Sequence, residues 1–203
     1  MAPQFANIFM ADLEQCFLNS YPLKPRVYFR FIDDIFMIWT HGLDALKKFY
    51  QDFNSFHNTI NFTMEYSDNA INFLDTTVKI RDDHLETSLY RKPTDSRSYL
   101  QPSSFHPQHT FRSIVYSQAL RYNKICSEKE DRDKQLGELH QTFTQLKYKP
   151  CIVEKQITRA SHINRGDLLQ YGPKTNVSRV PLVVTYNPQL KCLQRIINDF
   201  NPS

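Results

Sequence analysis

The sequence predicts an α+β fold, in which an antiparallel sheet with helices is followed by a mainly helical region. Apolar residues recur at helical spacing over residues 3–19 and 42–57, and β-favouring stretches occupy much of residues 27–90. Helical spacing returns after residue 107. A helix, a hairpin, a helix and a three-strand meander together make an α+β layer with an antiparallel sheet.

The first element is an amphipathic helix over residues 3–19, whose apolar positions are Phe5, Ile8, Phe9, Leu13, Cys16 and Phe17. Two prolines, Pro22 and Pro25, break the chain after it. Residues 27–39 then place β-favouring apolar residues on both sides of the adjacent Asp33 and Asp34. This pattern predicts two buried strands joined by a tight acidic turn.

A second amphipathic helix is predicted over residues 42–57, and three strands follow it. Apolar and polar residues alternate over residues 60–66, as in a half-buried strand. A polar turn at 67–69 leads into a strand over 71–80, and a turn at 81–84 leads into a strand over 85–90. The three strands predict an antiparallel meander.

Residues 91–107 are rich in Pro, Ser and Thr and lack periodicity, which indicates a boundary. Helices are predicted beyond it at residues 109–125 and 127–147, and the second opens with a capping-box pattern, Ser127 to Glu130. Further helices are predicted at 151–163 and 189–200, with an exposed loop at 164–178.

The composition is that of a folded protein, because 40% of the 203 residues are hydrophobic and only 4 are glycine. No apolar run approaches the roughly 20 residues of a membrane span, and the first residues lack the basic region of a signal peptide. The four cysteines are scattered without a Cys-x-x-Cys pair, as reduced thiols are. We expect an intracellular protein, nuclear or cytoplasmic and not secreted.

Charge is distributed unevenly along the chain. Residues 1–90 hold 7 Lys and Arg against 12 Asp and Glu, whereas residues 91–203 hold 18 against 9. An acidic half suits metal cations, and a basic half suits a phosphate backbone. The alternative is a coincidence of surface composition.

The Asp33-Asp34 pair predicts a metal-dependent phosphoryl-transfer site. Two like charges beside apolar strands repel each other and lose solvation. A divalent cation removes the difficulty, because Mg²⁺ prefers carboxylate oxygens. The alternative interpretation is a solvated Asp-Asp turn.

Several segments resemble, in order, the later palm motifs of reverse transcriptases, most closely those of Penelope-like retroelements. Ala2-Pro3 with Ala6-Asn7 resembles the end of motif B, and Phe31-Ile32-Asp33-Asp34 resembles motif C. Residues 60–75 resemble motif D and its continuation, residues 85–95 the primer-grip hairpin, and residues from 103 onward the thumb. The resemblance implies a partial palm over 1–90, a primer-grip end and thumb-like helices over 91–150, and a helical extension over 151–203.

The resemblance implies RNA-directed DNA synthesis with Mg²⁺, dNTPs, a DNA primer and an RNA template. Asp33 would be the essential metal ligand and catalytic residue, and Asp34 would be a second ligand or electrostatic support. The template and the incoming nucleotide would be contacted at the start of the chain, by Ala2, Pro3 and Gln4. Phe31, beside the turn, would pack near the primer end or complete the strand.

Basic side chains beside aromatic ones predict contacts with nucleic-acid phosphates. Tyr90, Arg91 and Lys92 lie in the segment that resembles the primer grip, where they could hold a backbone phosphate and sugar. The alternative for these three is an exposed strand end. On the first thumb-like helix we expect non-specific phosphate contacts from Arg112, Arg121 and Lys124.

Several parts of the family's polymerase site have no match in this chain. The motif A carboxylate, the fingers and the start of motif B are absent, and Met1 reads as an internal methionine. Two cations roughly 3.5–4 Å apart need more oxygen ligands than two neighbouring side chains offer. We therefore expect the chain alone to be inactive as a polymerase, with a complementing polypeptide as one way to restore the site.

Two other functions remain open on the sequence. One is a catalytically dead remnant that keeps nucleic-acid binding through its basic half. The other is a helix-turn-helix DNA-binding module at 109–147, a segment that is described as helix-turn-helix-like in some members of the family. Base-reading side chains are expected near the start of its second helix, but that stretch is acidic, with Glu128, Glu130, Asp131 and Asp133.

Overall fold

The computed structural model describes residues 2–82 and 84–170, together with the single residues 172, 185 and 187. The chain divides into two units, Met1–Leu74 and Asp75–Ser203. The described part holds six helices and two small antiparallel sheets, so the predicted α+β class is confirmed. The helix predicted at 189–200 lies outside the described residues.

The first unit follows the predicted order of helix, hairpin and helix. It contains α1 (Ala2–Ser20), β1 (Val27–Phe31), β2 (Asp34–Ile38), α2 (Leu43–Phe56) and β3 (Ala70–Phe73). Strands β1 and β2 pair antiparallel from Val27 opposite Ile38 to Phe31 opposite Asp34. The acidic turn and both predicted helices of this unit are therefore confirmed.

Aromatic side chains of α1 and α2 form the core of the first unit. Leu13, Phe17, Phe49 and Phe53 are buried in one cluster. Phe17 stacks on Phe53 with ring centroids 4.5 Å apart, and Phe53 stacks on Phe62 at 4.3 Å. Such pairs add to the free energy of burial, so they fix how the two helices pack.

The hairpin strands are less buried than the sequence predicted. Phe29 and Phe31 of β1 are 63% and 54% exposed. Side chains alternate between the two faces of a strand, and Tyr28 and Arg30 occupy the face that contacts α1 through Glu14. Phe29 and Phe31 consequently point to the other face, which stays accessible. The prediction of two buried strands was wrong on this point.

The strand predicted at residues 60–66 is absent from the structure. The predicted alternation of burial is present in part. Ile60, Phe62 and Met64 are half-buried while the residues between them are exposed, but Tyr66, which continues the pattern, is exposed. The backbone of Phe62 bonds to side chains of α2. The Asn54 Oδ1 accepts from the Phe62 N–H at 2.6 Å, and the Tyr50 hydroxyl donates to the Phe62 carbonyl at 2.8 Å.

The single strand predicted over residues 71–80 is two strands. β3 ends at Phe73, and β4 (Thr76–Arg81) begins after a turn in which Leu74 has a φ of 54°. A left-handed residue cannot continue an extended strand, so the chain turns there. The turn also contains the boundary between the two units.

The second unit begins with a hairpin and continues as helices. β4 pairs antiparallel with β5 (His84–Leu89), from Thr76 opposite Leu89 to Arg81 opposite His84. The helices are α3 (Gln108–Ile125), α4 (Lys129–Gln145), α5 (Pro150–Ser161) and α6 (Arg165–Leu169). The predicted helices of 109–125, 127–147 and 151–163 are confirmed, with ends shifted by a few residues, and Arg81 pairs with His84 at the place of the predicted turn.

The core of the second unit lies among α3, α4 and α5. Its buried residues are Phe111, Val115, Ala119, Tyr122, Leu136, Leu139, Phe143, Tyr148, Val153 and Ala160. Asn123 is a fully buried polar residue within this bundle. Its side-chain amide donates to the carbonyls of Ala160 and Ile163 at 3.0 and 2.8 Å, so it satisfies the end of α5 from α3.

Two local predictions in this unit were wrong. Ser127 does not cap α4, because its hydroxyl accepts from the Thr87 N–H at 3.0 Å and the N-cap is Glu128. The loop predicted at 164–178 begins with helix α6, which Asn164 caps by accepting from the Gly166 N–H at 2.7 Å. Residues 171 and 173–178 of that loop lie outside the described residues.

Candidate nucleic-acid interface

The acidic turn of the first unit presents its two carboxylates to solvent. Because Phe31 pairs with Asp34, the turn itself consists of Ile32 and Asp33, and Asp34 opens β2. Asp33 and Asp34 are both exposed. Ile32 has a φ of 58°, a left-handed conformation that is unfavourable for a β-branched residue and that neighbouring contacts must hold in place.

Those contacts come from Arg30. Its guanidinium donates to the Ile32 carbonyl at 2.8 Å and to the Asn7 Oδ1 of α1 at 3.0 Å. The Arg30 Nε also donates to the buried carboxylate of Glu14 at 2.9 Å. Arg30 therefore ties the acidic turn to α1 at two points. Sequence reasoning selected Asn7 only as part of the resemblance to motif B, and it selected neither Arg30 nor Glu14.

Tyr28 completes this network by donating its hydroxyl to the Glu14 Oε1 at 2.9 Å. Burial, and then the adjacent Glu14 carboxylate, raise the pKa of Tyr28 above its ordinary value. The phenol stays protonated as a hydrogen-bond donor over the neutral range. The network accordingly holds the hairpin against α1 through charge-assisted hydrogen bonds in a largely buried place.

The residues predicted to contact nucleotide or template lie near the same turn along α1. Pro3 and Gln4 are exposed in the first turn of α1, about one helical turn before Asn7. Ala2 is the first residue of α1. Phe31 pairs with Asp34 at the end of β1, more than half exposed. Pro3 and Gln4 are therefore connected to the acidic turn through Asn7 of the same helix, which bonds to Arg30.

The described carboxylates do not fit a two-cation centre. Asp33 and Asp34 offer two neighbouring side chains, and the carboxylate of Glu14 on the adjacent helix is already bonded to Arg30 and Tyr28. Within residues 2–82 and 84–170, no group of three or more His, Cys, Asp and Glu side chains is arranged to hold a metal ion. We derive no reaction step through Mg²⁺ for these residues.

The second unit contains a polar cleft that gathers four of the predicted phosphate contacts. Its cavity volume is about 320 Å³. The consecutive residues Tyr90, Arg91 and Lys92 line it, together with Arg121, which lies about 30 positions further along the chain. The remaining lining residues are Asp75, Leu89, Thr94, Asp95, Tyr99 and Tyr122.

The guanidinium of Arg91 binds other side chains of the second unit. It donates to the Glu138 carboxylate and to the Tyr122 hydroxyl, each at 3.0 Å, and lies 5.3 Å from the centroid of the Tyr122 ring. Its side chain is only 18% exposed. Arg91 therefore connects the segment after β5 to α3 and α4, and gives one wall of the cleft its shape.

Arg121 and Lys92 are the more accessible cations of this cleft. Arg121 forms an ion pair with the exposed carboxylate of Asp75, which already balances its positive charge. Lys92 is exposed and forms no ion pair within the described part of the chain. Of these two cations, Lys92 is therefore the one whose charge is available to an anionic group in the cleft, which Tyr90 also lines.

The other two predicted contacts lie elsewhere on α3. Arg112 and Lys124 are exposed, and neither lines the cleft. The backbone carbonyl of Lys124 accepts from the Arg165 Nε at 3.1 Å. Of the three predicted contacts on α3, only Arg121 therefore lines the cleft, although residues 121 and 124 are neighbours on one face of the helix.

Aromatic residues that the sequence did not select support the cleft. Tyr99 stacks on Phe143 with ring centroids 4.6 Å apart. Burial, and then a hydrogen bond with Tyr122, raise the pKa of Tyr99. The available signal was Tyr99 itself, an isolated aromatic residue within a Ser- and Pro-rich segment, since such a residue needs a core to pack against.

A family model described as an animal helix-turn-helix domain matches residues 98–158. The match covers the segment before α3, helices α3 and α4, and most of α5. No curated protein and no solved structure matches the chain. Among the helices of the described residues, none is long and apolar enough to cross a membrane.

Proposed function

We propose that this chain is the palm-and-thumb portion of a Penelope-like reverse transcriptase, and that its described residues bind primed template nucleic acid. The observation that carries the proposal is the cleft of the second unit. Residues selected as phosphate contacts from the sequence, Tyr90, Arg91, Lys92 and Arg121, line this one cleft. Cations beside aromatic rings are the chemistry that holds a backbone phosphate and its sugar.

The acidic hairpin supports the family assignment without completing a catalytic site. Two carboxylates at the tip of an antiparallel hairpin, Asp33 and Asp34, are what the motif C resemblance requires. RNA-directed DNA synthesis with Mg²⁺ and dNTPs would need a further carboxylate beyond those described here. The proposed activity of these residues is accordingly binding of an RNA template and a DNA primer inside the cell.

The test is a binding titration with an RNA–DNA hybrid that carries a single-stranded template overhang. We expect Lys92→Gln to weaken binding and to reduce the slope of log K against log salt concentration by about 0.7–0.9, the value for one phosphate contact. Lys134→Gln is the matched control, because Lys134 is exposed on α4 away from the cleft. Equal slopes for both variants would overturn the role of the cleft.

A second assay addresses catalysis directly. Primer extension on an RNA template with Mg²⁺ and dNTPs is compared between the chain and its Asp33→Asn variant. We expect no extension from either protein. Extension that is lost in Asp33→Asn would show that the carboxylates form a working site, and the proposal of binding alone would be wrong.

The second candidate function is a DNA-binding helix-turn-helix module. The match of residues 98–158 to an animal helix-turn-helix domain favours it. Discrimination between duplexes of different sequence would support this module, because the phosphate contacts of the cleft carry no sequence information.

A further inference from the structure

Two turns of the second unit have the length found in helix-turn-helix pairs. Residues 126–128 join α3 to α4, and residues 146–149 join α4 to α5. A DNA-binding pair has a turn of about three to four residues, and its second helix enters the major groove. Either α4 or α5 is therefore the candidate for the second helix on geometry alone.

The charge at the helix starts separates the two candidates. The first turn of α4 is acidic, with Glu130 and Asp131, and Glu128 stands before it. The first turn of α5 contains no acidic residue, and Lys147 and Lys149 stand before it. Phosphates flank the groove on both sides, so an acidic start repels DNA while a basic start attracts it.

The outer face of α5 carries side chains that can contact bases and phosphates. Val153, Gln156 and Ala160 are buried on its inner face. The outer positions are exposed and follow one another at helical spacing: Cys151, Glu154, Lys155, Thr158 and Arg159. Lysine, threonine and arginine are residue types that donate to base edges or phosphates in the major groove.

Arg159 is held on this face by an aromatic ring. Its guanidinium lies 4.7 Å from the ring centroid of Tyr116 on α3. Arg159 and Lys155 form no ion pair within the described part of the chain. A cation that is positioned without being neutralised keeps its donors for a ligand.

We propose that α5 is the helix of this chain that enters the major groove of duplex DNA, with α4 as the helix that precedes it. The inference rests on the proposed nucleic-acid binding and goes beyond it by naming B-form DNA as the partner of one helix. The major groove of B-form DNA admits an α-helix, whereas that of an RNA duplex is too narrow for side chains to read. The RNA–DNA hybrid proposed for the cleft is a separate ligand, bound by a different surface of the protein.

The experiment uses the full chain and a mixed-sequence 30-base-pair DNA duplex, with an RNA duplex of the same sequence as a second probe. The test variant is Lys155→Gln with Arg159→Gln. The matched control is Lys129→Gln with Lys134→Gln, which removes the same charge from two exposed positions on α4. We expect the test variant to reduce the salt slope for the DNA duplex by about 1.8, at about 0.9 per phosphate contact, and the control to leave it unchanged.

Arg159→Lys guards against an effect on folding, because it retains the charge while losing the planar contact with Tyr116. We expect this variant to keep most of the salt slope. Equal losses in the α4 control, or equal losses on the RNA duplex, would overturn the assignment of α5. If the α5 variant binds DNA normally while Lys92→Gln weakens the RNA–DNA hybrid, the inference fails and the proposed function stands. If the unaltered chain binds none of the probes at 50 mM salt, both fail.

Discussion

Asn123 offers a sharp test of how the helical unit is held together. This residue is fully buried. Its amide donates to the carbonyls of Ala160 and Ile163, and its Oδ1 accepts from the Arg132 guanidinium at 3.2 Å. One side chain on α3 therefore satisfies the C-terminal end of α5 and a partly buried cation on α4.

Replacing Asn123 by Ala removes all three hydrogen bonds and leaves their partners in a buried place. Two neutral bonds are worth about 1 kcal/mol each, and the bond from a charged guanidinium about 1.5–3 kcal/mol. We expect the free energy of unfolding to fall by about 3–5 kcal/mol. The loss is large for a domain of marginal stability.

The assay is urea unfolding followed by circular dichroism at 222 nm. Trp39 is the single tryptophan and lies in the first unit, so its fluorescence in the same samples reports that unit separately. Ser113→Ala is the control, at an exposed position on the same helix. A double-mutant cycle with Arg132→Met isolates the coupling of Asn123 to Arg132. A loss below about 1 kcal/mol with an unchanged m value would refute the reasoning, since it would mean that the buried partners find other donors and acceptors.

Three further predictions concern other residues. Burial raises the pKa of Tyr28 above its ordinary 10.0. The stabilisation by the protonated phenol is complete below about pH 10 and is lost as the pH rises through the raised pKa. The free energy of unfolding should therefore fall above about pH 10, less steeply in Tyr28→Phe, as urea titrations at several pH values would measure. Phe49 is 1% exposed and its ring contacts several aromatic neighbours. Phe49→Ala should therefore lower the free energy of unfolding by about 3–5 kcal/mol, measured by the tryptophan fluorescence transition. A loss below about 1 kcal/mol would contradict this packing. Burial raises the pKa of the Cys126 thiol, whereas Cys16 and Cys151 are exposed. Mass spectrometry after brief thiol labelling at pH 8 should therefore show Cys16 and Cys151 modified before Cys126. Equal labelling rates for the three thiols would contradict the burial of Cys126.

The helices were predictable because their signal lies within each segment. The apolar residues of α1 and α2 recur every three to four positions, which only a helix can gather on one face. The alternation over residues 60–66 also predicted the half-burial of Ile60, Phe62 and Met64, and was wrong for Tyr66. It did not predict that Asn54 and Tyr50 bond to the backbone of Phe62, because a strand needs a partner that the segment itself does not contain.

The cleft was predictable in its composition and not in its internal bonding. The aromatic and basic run at Tyr90, Arg91 and Lys92 indicated phosphate contacts, and Arg121 lines the same cleft. The hydrogen bond from Arg91 to the carboxylate of Glu138, a residue 47 positions away in the sequence, depends on how α4 packs. Sequence patterns give the types of side chain available to a site, whereas tertiary packing decides which of them remain free.

The bond between Ser127 and Thr87 has a consequence for how the second unit can be divided. β4 occupies one edge of β5, and on the other edge the Ser127 N–H donates to the Thr87 carbonyl at 2.8 Å while the Thr87 N–H donates to the Ser127 hydroxyl. The Thr87 hydroxyl further donates to the Ile125 carbonyl. The corner between α3 and α4 thus shields an edge strand that would otherwise be open to pairing with a second molecule. A fragment that ends before α3 would expose this edge and should aggregate, whereas one that begins at Asp75 and extends through α5 keeps the edge covered.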